Sequence, residues 1–331
     1  MGFIKKLRLY RIKTVLNIFP KFWNKSQLIA KEKKVTSWAV FKDMFQCFLK
    51  FGSSEDNYEQ FHFFGKNDAY KDSFITWRRN MRIMTLFNTK EAKALFLNKV
   101  EWNRRFSKYV KRDWIYSRDI SKQQFIDFLE KHNSVIVKAI DGACGQGIDK
   151  YLSSDLLKRD SLLEQILSGD YIIEEVAVNV PEIKAFSPNS LNTIRIVTCV
   201  DNNGSVNLIT TALRVGNGKT FKDNTHSGGL AAIIDKETGV IVTDGIDYMG
   251  ESYLKHPVTG VMFKGFQVPK WKECLDLIEY VAKECKDARF VGWDVAVTVK
   301  GVDILEGNIP PGEDLTQADT IGRYREVLTM L

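Results

Sequence analysis

Three oxygen-bearing side chains near the C-terminus have the types and the spacing of a metal-binding site. Asp294 lies in the segment FVGWDVAVTV, and Glu306 and Asn308 lie in VDILEGN. Both segments are rich in β-branched and aromatic residues and are separated by Lys300-Gly301, which predicts a β-hairpin. A three-residue loop with Gly301 in the left-handed conformation would place Asp294 opposite Glu306. Because strand residues i and i+2 share a face, all three side chains would then supply the oxygen ligands that Mg²⁺ prefers. An ordinary polar solvent face is the alternative.

A glycine-rich loop and three isolated cations predict the phosphate-binding side of the same site. The loop DGACGQG spans residues 141–147, and glycines let backbone N–H groups approach an anion closely. It matches neither the P-loop nor the dinucleotide fingerprint, so a turn without a ligand is the alternative. Lys138, Arg195 and Arg214 lie in strands that otherwise read as buried, where a cation needs either a phosphate or a core carboxylate as its partner. Together with the acidic hairpin, these features indicate a nucleoside triphosphate site.

The composition is that of a globular protein with a basic N-terminal segment. The chain has 331 residues, 44% hydrophobic and 27% charged, which fits one large domain or two medium ones. Residues 1–50 hold twelve of the 48 Lys and Arg residues but two of the 41 Asp and Glu residues, a local charge of +10, and the remainder carries −3. Because the basic charge does not extend along the body, the composition argues against a nucleic-acid partner.

The N-terminal segment and the cysteines predict the cellular location. Five cysteines without a CxxC motif favour a reduced, cytoplasmic compartment. No stretch approaches the roughly 18 apolar residues that span a bilayer. The opening segment has a helical apolar stripe flanked by lysines and arginines, and Pro20 is expected to end this helix. Such a helix would lie peripherally on the inner, anionic face of the membrane, or would pack on its own domain with a wet basic face.

The order of predicted elements indicates an α+β architecture. Residues 1–95 form a mostly helical region, and a further helix is expected from Ser121, its N-cap, to His132. Strands dominate the remainder. Their predicted bounds are Val135–Ile140, Tyr171–Val178, Thr193–Asp201, Val206–Val215, Ala231–Asp235 and Val240–Asp244, with a helix over Lys272–Cys285 before the acidic hairpin.

This order of parts resembles the ATP-grasp enzymes, whose two α+β lobes sandwich ATP. The strings SLNTIRIVT, LRVGNG, DNTHSGG, HPVTG and VGWDVAVTVKGVDILEGN resemble the sugar-transfer-associated ATP-grasp family of polysaccharide biosynthesis. The resemblance covers about residues 96–331, with the smaller lobe at about 96–178 and the larger lobe at about 179–331.

The resemblance implies roles for individual residues. ATP phosphates would be contacted by Lys99 and Lys138 and covered by Gly142, Gly145 and Gly147, and the adenine slot would be lined by Glu174, Glu175, Val176 and Ala177, with Glu182 at the ribose. The transferring phosphate would be neutralised by Arg195 and Arg214, Mg²⁺ would be held by Asp294, Glu306 and Asn308, and the acceptor would lie near Asn224, His226, Gly228 and Gly229. The chain departs from the family pattern at Asn179-Val180, where Gln-His commonly precedes Pro-Glu.

The resemblance further implies an enzyme that uses ATP and Mg²⁺ to activate a carboxylate as an acylphosphate, which an amine then attacks. The expected function is a carboxylate–amine ligase that acts on a cell-surface polysaccharide precursor, with a small-molecule carboxylate and an amine or sugar-linked acceptor as partners. A phosphotransferase built from the same parts and a non-catalytic ATP-binding scaffold are the alternatives.

Overall fold

The computed structural model describes residues 2–140, 147–218 and 223–331, except for the side chains of residues 2–17 and of His226. The chain divides into two compact units. The first contains Met1–Ile83 and Thr320–Thr329, and the second contains Met84–Asp319 and Met330–Leu331. The helices are α1 (Gly2–Lys33), α2 (Ser37–Phe51), α3 (Glu55–Gln60), α4 (Asp68–Asp72), α5 (Trp77–Phe87), α6 (Lys90–Leu97), α7 (Lys99–Arg105), α8 (Lys122–Lys131), α9 (Ser153–Leu156), α10 (Asp160–Ser168), α11 (Pro181–Lys184), α12 (Trp271–Glu284), α13 (Glu313–Thr316) and α14 (Tyr324–Leu328).

The described strands form two antiparallel sheets, both in the second unit. The strands are β1 (Trp114–Tyr116), β2 (Ser134–Ala139), β3 (Ile148–Leu152), β4 (Tyr171–Glu175), β5 (Thr193–Val200), β6 (Val206–Val215), β7 (Leu230–Ile233), β8 (Gly245–Ile246), β9 (Ser252–Tyr253), β10 (Phe290–Thr298) and β11 (Gly301–Asn308). The smaller sheet has the order β1-β4-β2-β3, and the larger has the order β11-β10-β5-β6-β7-β8-β9. The predicted α+β architecture is therefore confirmed.

The first helix runs through Pro20, so the prediction that Pro20 ends it is wrong. A proline inside a helix removes one amide donor and costs about 3 kcal/mol or more. The residues beyond it offset that cost, because Phe22, Ile29 and Ala30 are buried in one apolar cluster with Phe41 of α2. Tertiary packing therefore continues a helix that the local sequence signal would stop. No helix among the described residues is long and apolar enough to cross a membrane.

Most of the predicted elements of the second unit are present, with one exception. Ser121 caps α8 in a capping box with Gln124, as the sequence predicts. The strand predicted over Val240–Asp244 is wrong, because this segment makes only isolated bridges. Its hydrogen bonds are divided among neighbours: the Thr243 hydroxyl accepts from the Ile233 amide, and the Ile241 amide donates to Phe266. A continuous ladder with β7 therefore does not form.

The larger sheet separates an apolar core from a polar face. Side chains that alternate along β5, β6 and β10, such as Ile194, Leu213 and Val295, lie in one buried cluster with Ile278 of α12. Because strand side chains alternate between faces, the residues between them lie on the opposite face of the sheet. That face carries Arg195, Arg214 and Asp294.

Candidate functional site

The acidic hairpin has a shorter loop than the sequence predicts. Thr298 pairs with Gly301, so the loop consists of two residues, Val299 and Lys300, and the prediction of three is wrong. Gly301 has φ +116°, which a glycine adopts readily and other residues rarely do. The Thr298 hydroxyl accepts from the Lys300 amide and donates to the Gly301 carbonyl at 2.8 Å, which closes this tight turn.

A β-bulge brings the two carboxylates together. Val295 pairs with Ile304, whereas Asp294 pairs with Glu306, so Leu305 is an extra residue in β11. Without it, the alternation of β11 would place Glu306 on the same face as Ile304, which is buried in the α12 core. The predicted opposition of Asp294 and Glu306 is confirmed, and it depends on the bulge.

Arg112 holds the bulged strand in place. Its guanidinium donates to the Ile304 carbonyl at 2.9 Å and to the Leu305 carbonyl at 3.1 Å. The same group contacts both carboxylate oxygens of Asp303 at 3.2 Å and Oε1 of Glu174 at 3.0 Å. Arg112 therefore links β4 of the smaller sheet to β11 of the larger sheet at the point where the register changes.

Glu174 connects this network to the lysine predicted to contact phosphate. It is buried, its Oε2 lies 2.5 Å from Lys138 Nζ, and its Oε1 also accepts from Asn103 at 3.2 Å. Burial alone would raise the pKa of Glu174, but the charges of Arg112 and Lys138 outweigh burial and lower it. Lys138 thus has the carboxylate partner that the sequence left open as one of two possibilities, and it is held at the end of β2 near the glycine loop.

Asp294 is the centre of a second buried charge cluster. Arg195 Nε lies 2.5 Å from Oδ1 of Asp294, and Arg214 Nη1 lies 2.8 Å from Oδ2. Arg214 also contacts Asp223 at 2.9 Å, and Asp223 accepts from the Thr193 hydroxyl. Burial would raise the pKa of Asp294, but the two arginines outweigh burial and lower it. Arg195 and Arg214 each have a carboxylate partner here.

Glu306 and Asn308 complete the acidic face. Asn308 Nδ2 lies 3.4 Å from Asp294 Oδ2 and 3.3 Å from Glu306 Oε1. The Glu306 side chain keeps exposed surface, yet partial loss of hydration and the negative charge of Asp294 together raise its pKa. Two carboxylates and an amide, whose oxygen a half-turn of the side chain would present, fit the oxygen ligands of Mg²⁺. The three predicted metal ligands are thus adjacent.

Lys99 and Gly147 both form hydrogen bonds with Ala139, which ends β2 just before the glycine loop. Lys99 Nζ donates to the carbonyls of Ala139 and Ile140, each at 3.1 Å. The Gly147 carbonyl accepts from the Ala139 amide at 2.9 Å, and Gly147 has φ +66°. Lys99 therefore lies where the loop begins, and Gly147, in the left-handed conformation, lies where it ends. Two further predicted loop residues, Gly142 and Gly145, lie outside the described residues.

The predicted adenine slot follows β4 and is tied to the acidic hairpin. Glu175 ends β4 and pairs through its carboxylate with Lys300, 2.6 Å away at the hairpin tip. The Val176 amide donates to the Ser134 carbonyl of β2 at 3.4 Å. Ala177 is half-buried, and Glu182 is exposed on the short helix α11.

The residues predicted to lie near the acceptor follow directly after Asp223. The amides of Ser227 and Gly229 donate to the Asn224 carbonyl at 2.9 and 3.0 Å, which folds residues 224–229 into a compact turn. Gly228 has φ +88°, and a Cβ at Gly229 would lie 2.3 Å from the Asp223 carbonyl oxygen. Both positions therefore require glycine. The His226 side chain lies outside the described residues.

Sequence reasoning missed four residues of these clusters, namely the charged Arg112, Asp223 and Asp303 and the neutral Asn103. Asp303 carried a usable signal, because an aspartate in the apolar strand GVDILEG needs a partner just as Lys138 does. Arg112 carried none, since it lies in a basic stretch where an exposed arginine is the ordinary expectation.

A further group of potential metal ligands lies near the end of β4. Ligand atoms of Asp113, His132 and Glu175 lie within 4.8 Å of one another. Lys131 pairs with Asp113, and Lys300 pairs with Glu175. Each carboxylate is already balanced by a lysine, and we assign no metal to this group.

Removing Asp294 and removing Glu306 should affect stability differently. The sequence alone predicts that removal of either carboxylate lowers the free energy of unfolding very little, because it would relieve repulsion within a cluster of like charges. Asp294→Asn instead leaves Arg195 and Arg214 without their shared counter-charge, so the free energy of unfolding should fall by about 3–5 kcal/mol. Glu306→Gln should change it by less than about 1 kcal/mol. Urea denaturation measures both, with the exposed Asp276→Asn as the matched control; equal losses in the two site variants would contradict the assignment.

The stability difference between wild type and Glu306→Gln should depend on pH. A carboxyl group whose pKa is raised in the folded state binds its proton more tightly there, so it stabilises the fold at low pH. That contribution is lost as pH rises through the raised pKa. Wild type should therefore lose stability relative to Glu306→Gln as pH rises above about 4, the ordinary range of a glutamate pKa. Denaturation curves at each pH measure the difference, and a difference independent of pH would refute the raised pKa.

Arg112→Met should destabilise the fold because it leaves Asp303 as a buried carboxylate without its cation, whereas Glu174 keeps Lys138. The expected loss in the free energy of unfolding is about 3–5 kcal/mol. Adding Asp303→Asn to this variant removes the uncompensated charge and should restore a large part of the loss. Chemical denaturation of the single and double variants measures the effect. A double variant less stable than Arg112→Met would contradict this account.

Comparison with solved structures finds ATP-grasp ligases at low identity. The chain is similar to the ATP-grasp ligase PsnB complexed with minimal precursor, with 13% identity and a TM-score of 0.46 over 74% of this chain and 64% of that one. It is also similar to D-alanyl-alanine synthetase A from Vibrio cholerae, with 14% identity and a TM-score of 0.43 over 73% and 62%. D-alanine–D-alanine ligase from Bacillus anthracis has 15% identity and a TM-score of 0.43 over 76% and 73%. This chain thus spans slightly less than two thirds of the length of PsnB and of the Vibrio cholerae synthetase.

A search of curated proteins finds no match to the sequence. The family model described as sugar-transfer associated ATP-grasp matches residues 78–321, which include every predicted site residue. The two sheets, the bulged acidic hairpin and the paired arginines all lie within that range. The chain therefore belongs to the sugar-transfer-associated ATP-grasp family, with the ATP-grasp fold preceded by a helical N-terminal region.

Proposed function

We propose that this protein is an ATP- and Mg²⁺-dependent carboxylate–amine ligase that acts through an acylphosphate. The observation that carries the proposal is the polar face of the larger sheet, where Asp294, Glu306 and Asn308 are adjacent and Arg195 and Arg214 contact Asp294. This face joins oxygen ligands for a cation to two fixed guanidinium groups. That combination suits the transfer of a phosphoryl group, whose charge must be neutralised as it moves.

Each residue would contribute binding or charge rather than covalent chemistry. Asp294, Glu306 and Asn308 would hold Mg²⁺, which when bound offsets the negative charge of the phosphates. Arg195 and Arg214 would orient the γ-phosphoryl group toward the substrate carboxylate. Their own carboxylate contacts fix these guanidinium groups before any ligand binds, so little reorganisation would be needed during the reaction.

The described cysteines support a mechanism without an enzyme nucleophile. Cys47, Cys274 and Cys285 are buried, and burial raises the pKa of each thiol to about 12. A thiol with such a pKa stays protonated near neutral pH and is a poor nucleophile. Direct attack of a substrate carboxylate on ATP requires no such group, in keeping with a ligase.

The acceptor side of the proposal rests on the family. Its description associates these proteins with sugar transfer, and we infer that the amine is carried by a cell-surface polysaccharide precursor or by an amino acid destined for one. The turn of residues 224–229 follows Asp223, which contacts Arg214, so it would present the acceptor to the phosphorylated intermediate. A cytoplasmic enzyme would meet both ATP and such precursors.

The test is ADP release from Mg·ATP with pooled amino acids and sugar acids, with and without hydroxylamine. We expect ADP release to require a carboxylate and to yield a hydroxamate, because only an acylphosphate gives that product. Glu306→Gln should lower the rate by about 100-fold or more, while the exposed Glu279→Gln should leave it unchanged. Product formation on a hydroxyl without hydroxamate would instead establish a phosphotransferase. Binding of ATP with no turnover on any acceptor would favour a scaffold.

A further inference from the structure

The first unit carries an apolar surface patch where α1 meets α2. Five apolar side chains form it. Phe19, Trp38 and Leu49 are 47%, 62% and 59% exposed, and Trp23 and Phe45 are half-buried. Phe19, Trp23, Trp38 and Phe45 all contact the buried ring of Phe41, with centroid distances from 4.7 to 6.2 Å. These four rings therefore form one contiguous surface, and Leu49 lies about one helical turn beyond Phe45 on α2.

Helical spacing keeps this patch on one face of α2. Trp38, Phe45 and Leu49 are seven and four residues apart, so they lie along one side of the helix over about 16 Å. Trp38 stacks on Phe41 at 5.4 Å with an interplanar angle of 10°. The exposed rings are thus held rigidly by the core beneath them, and a large apolar patch on a folded surface marks an interaction site.

Positive charges outnumber negative ones on the two helices that form the patch. The two acidic residues among residues 1–50 are both neutralised, because Glu32 pairs with Lys33 and Asp43 pairs with Lys71. The lysines at positions 31, 34 and 42 are exposed, and α1 carries further cations in its first half. Residues 18–50 hold seven lysines against these two acidic residues, so they carry an excess of positive charge, although Lys21, Lys25 and Lys50 pair with acidic residues of α3 and α4.

We infer that this face of α1 and α2 docks peripherally on an anionic lipid bilayer. Tryptophan and phenylalanine rings are suited to the boundary between head groups and acyl chains, where Trp38 and Phe19 would insert. The surrounding lysines would attract anionic head groups. A protein partner with a matching patch would need acidic residues around it, whereas an anionic bilayer supplies both requirements. This inference is independent of the proposed ligase activity.

The test is co-sedimentation of the full-length chain with phosphatidylcholine vesicles that contain or lack about 30 mol% phosphatidylserine. We expect binding to the anionic vesicles only, with a blue shift of tryptophan fluorescence. Binding should weaken at least tenfold in the double variant Trp38→Ser/Leu49→Ser and also in Lys34→Glu/Lys42→Glu. The matched control is Leu28→Ser, because Leu28 is 61% exposed on α1 but lies five residues, and so about 140°, from Trp23.

Three results would overturn the inference. The first is equal binding to neutral and anionic vesicles, or none to either. The second is an equal loss of binding in Leu28→Ser and in Trp38→Ser/Leu49→Ser. The third is a wild-type dimer in sedimentation velocity that becomes a monomer in Trp38→Ser/Leu49→Ser, which would make the patch an interface between copies. Because the charge-reversal variant leaves the apolar patch intact, it keeps the test valid if the double serine variant unfolds.

Discussion

The arrangement of the site depends on a buried guanidinium, that of Arg112, held between Glu174 and Asp303. Three charged groups removed from water are expensive, and a buried ion pair is weak evidence of stability by itself. Its consequence here is geometric. The same guanidinium bonds the carbonyls of Ile304 and Leu305, so it fixes the bulged backbone that turns Glu306 away from the core and onto the polar face. The buried charges therefore specify the register in which β11 pairs with β10, even though their burial costs free energy.

A common pattern follows from this constraint. Three of the four cations expected to contact phosphate already have a carboxylate partner: Lys138 has Glu174, and Arg195 and Arg214 share Asp294. The fourth, Lys99, donates to two backbone carbonyls. Long side chains that would otherwise sample many rotamers are therefore ordered before a ligand arrives, which reduces the entropy lost on binding. The carboxylates also keep the cations tolerable in a buried setting, where an unpaired charge would be far more costly.

The sequence predicted those features that depend on local chemistry or on the alternation of side chains along a strand. The capping box at Ser121, the α+β architecture and the opposition of Asp294 and Glu306 belong to this class. It did not predict the bulge, because a three-residue loop would also have placed Asp294 opposite Glu306. The contact that holds the bulge comes from Arg112, which is far away in the chain. It also placed a helix end at Pro20, since the packing that carries α1 onward is tertiary. The family resemblance supplied the candidate site as a set, but not the carboxylate that holds each cation.

The tip of the β10–β11 hairpin bonds to the segment that is predicted to form the adenine slot. The Val180 amide donates to Val297 at 3.1 Å, the Val299 amide donates to Val178 at 3.0 Å, and Lys300 pairs with Glu175. The strand that carries Asp294 thus also fixes the segment after β4. Asp294 and Val297 are three positions apart, or about 10 Å along a strand. A single rigid strand therefore sets the separation between the slot and the acidic face. Because Asp294 and Val297 lie on this one strand, a shift in its register would displace the predicted slot and the acidic face together.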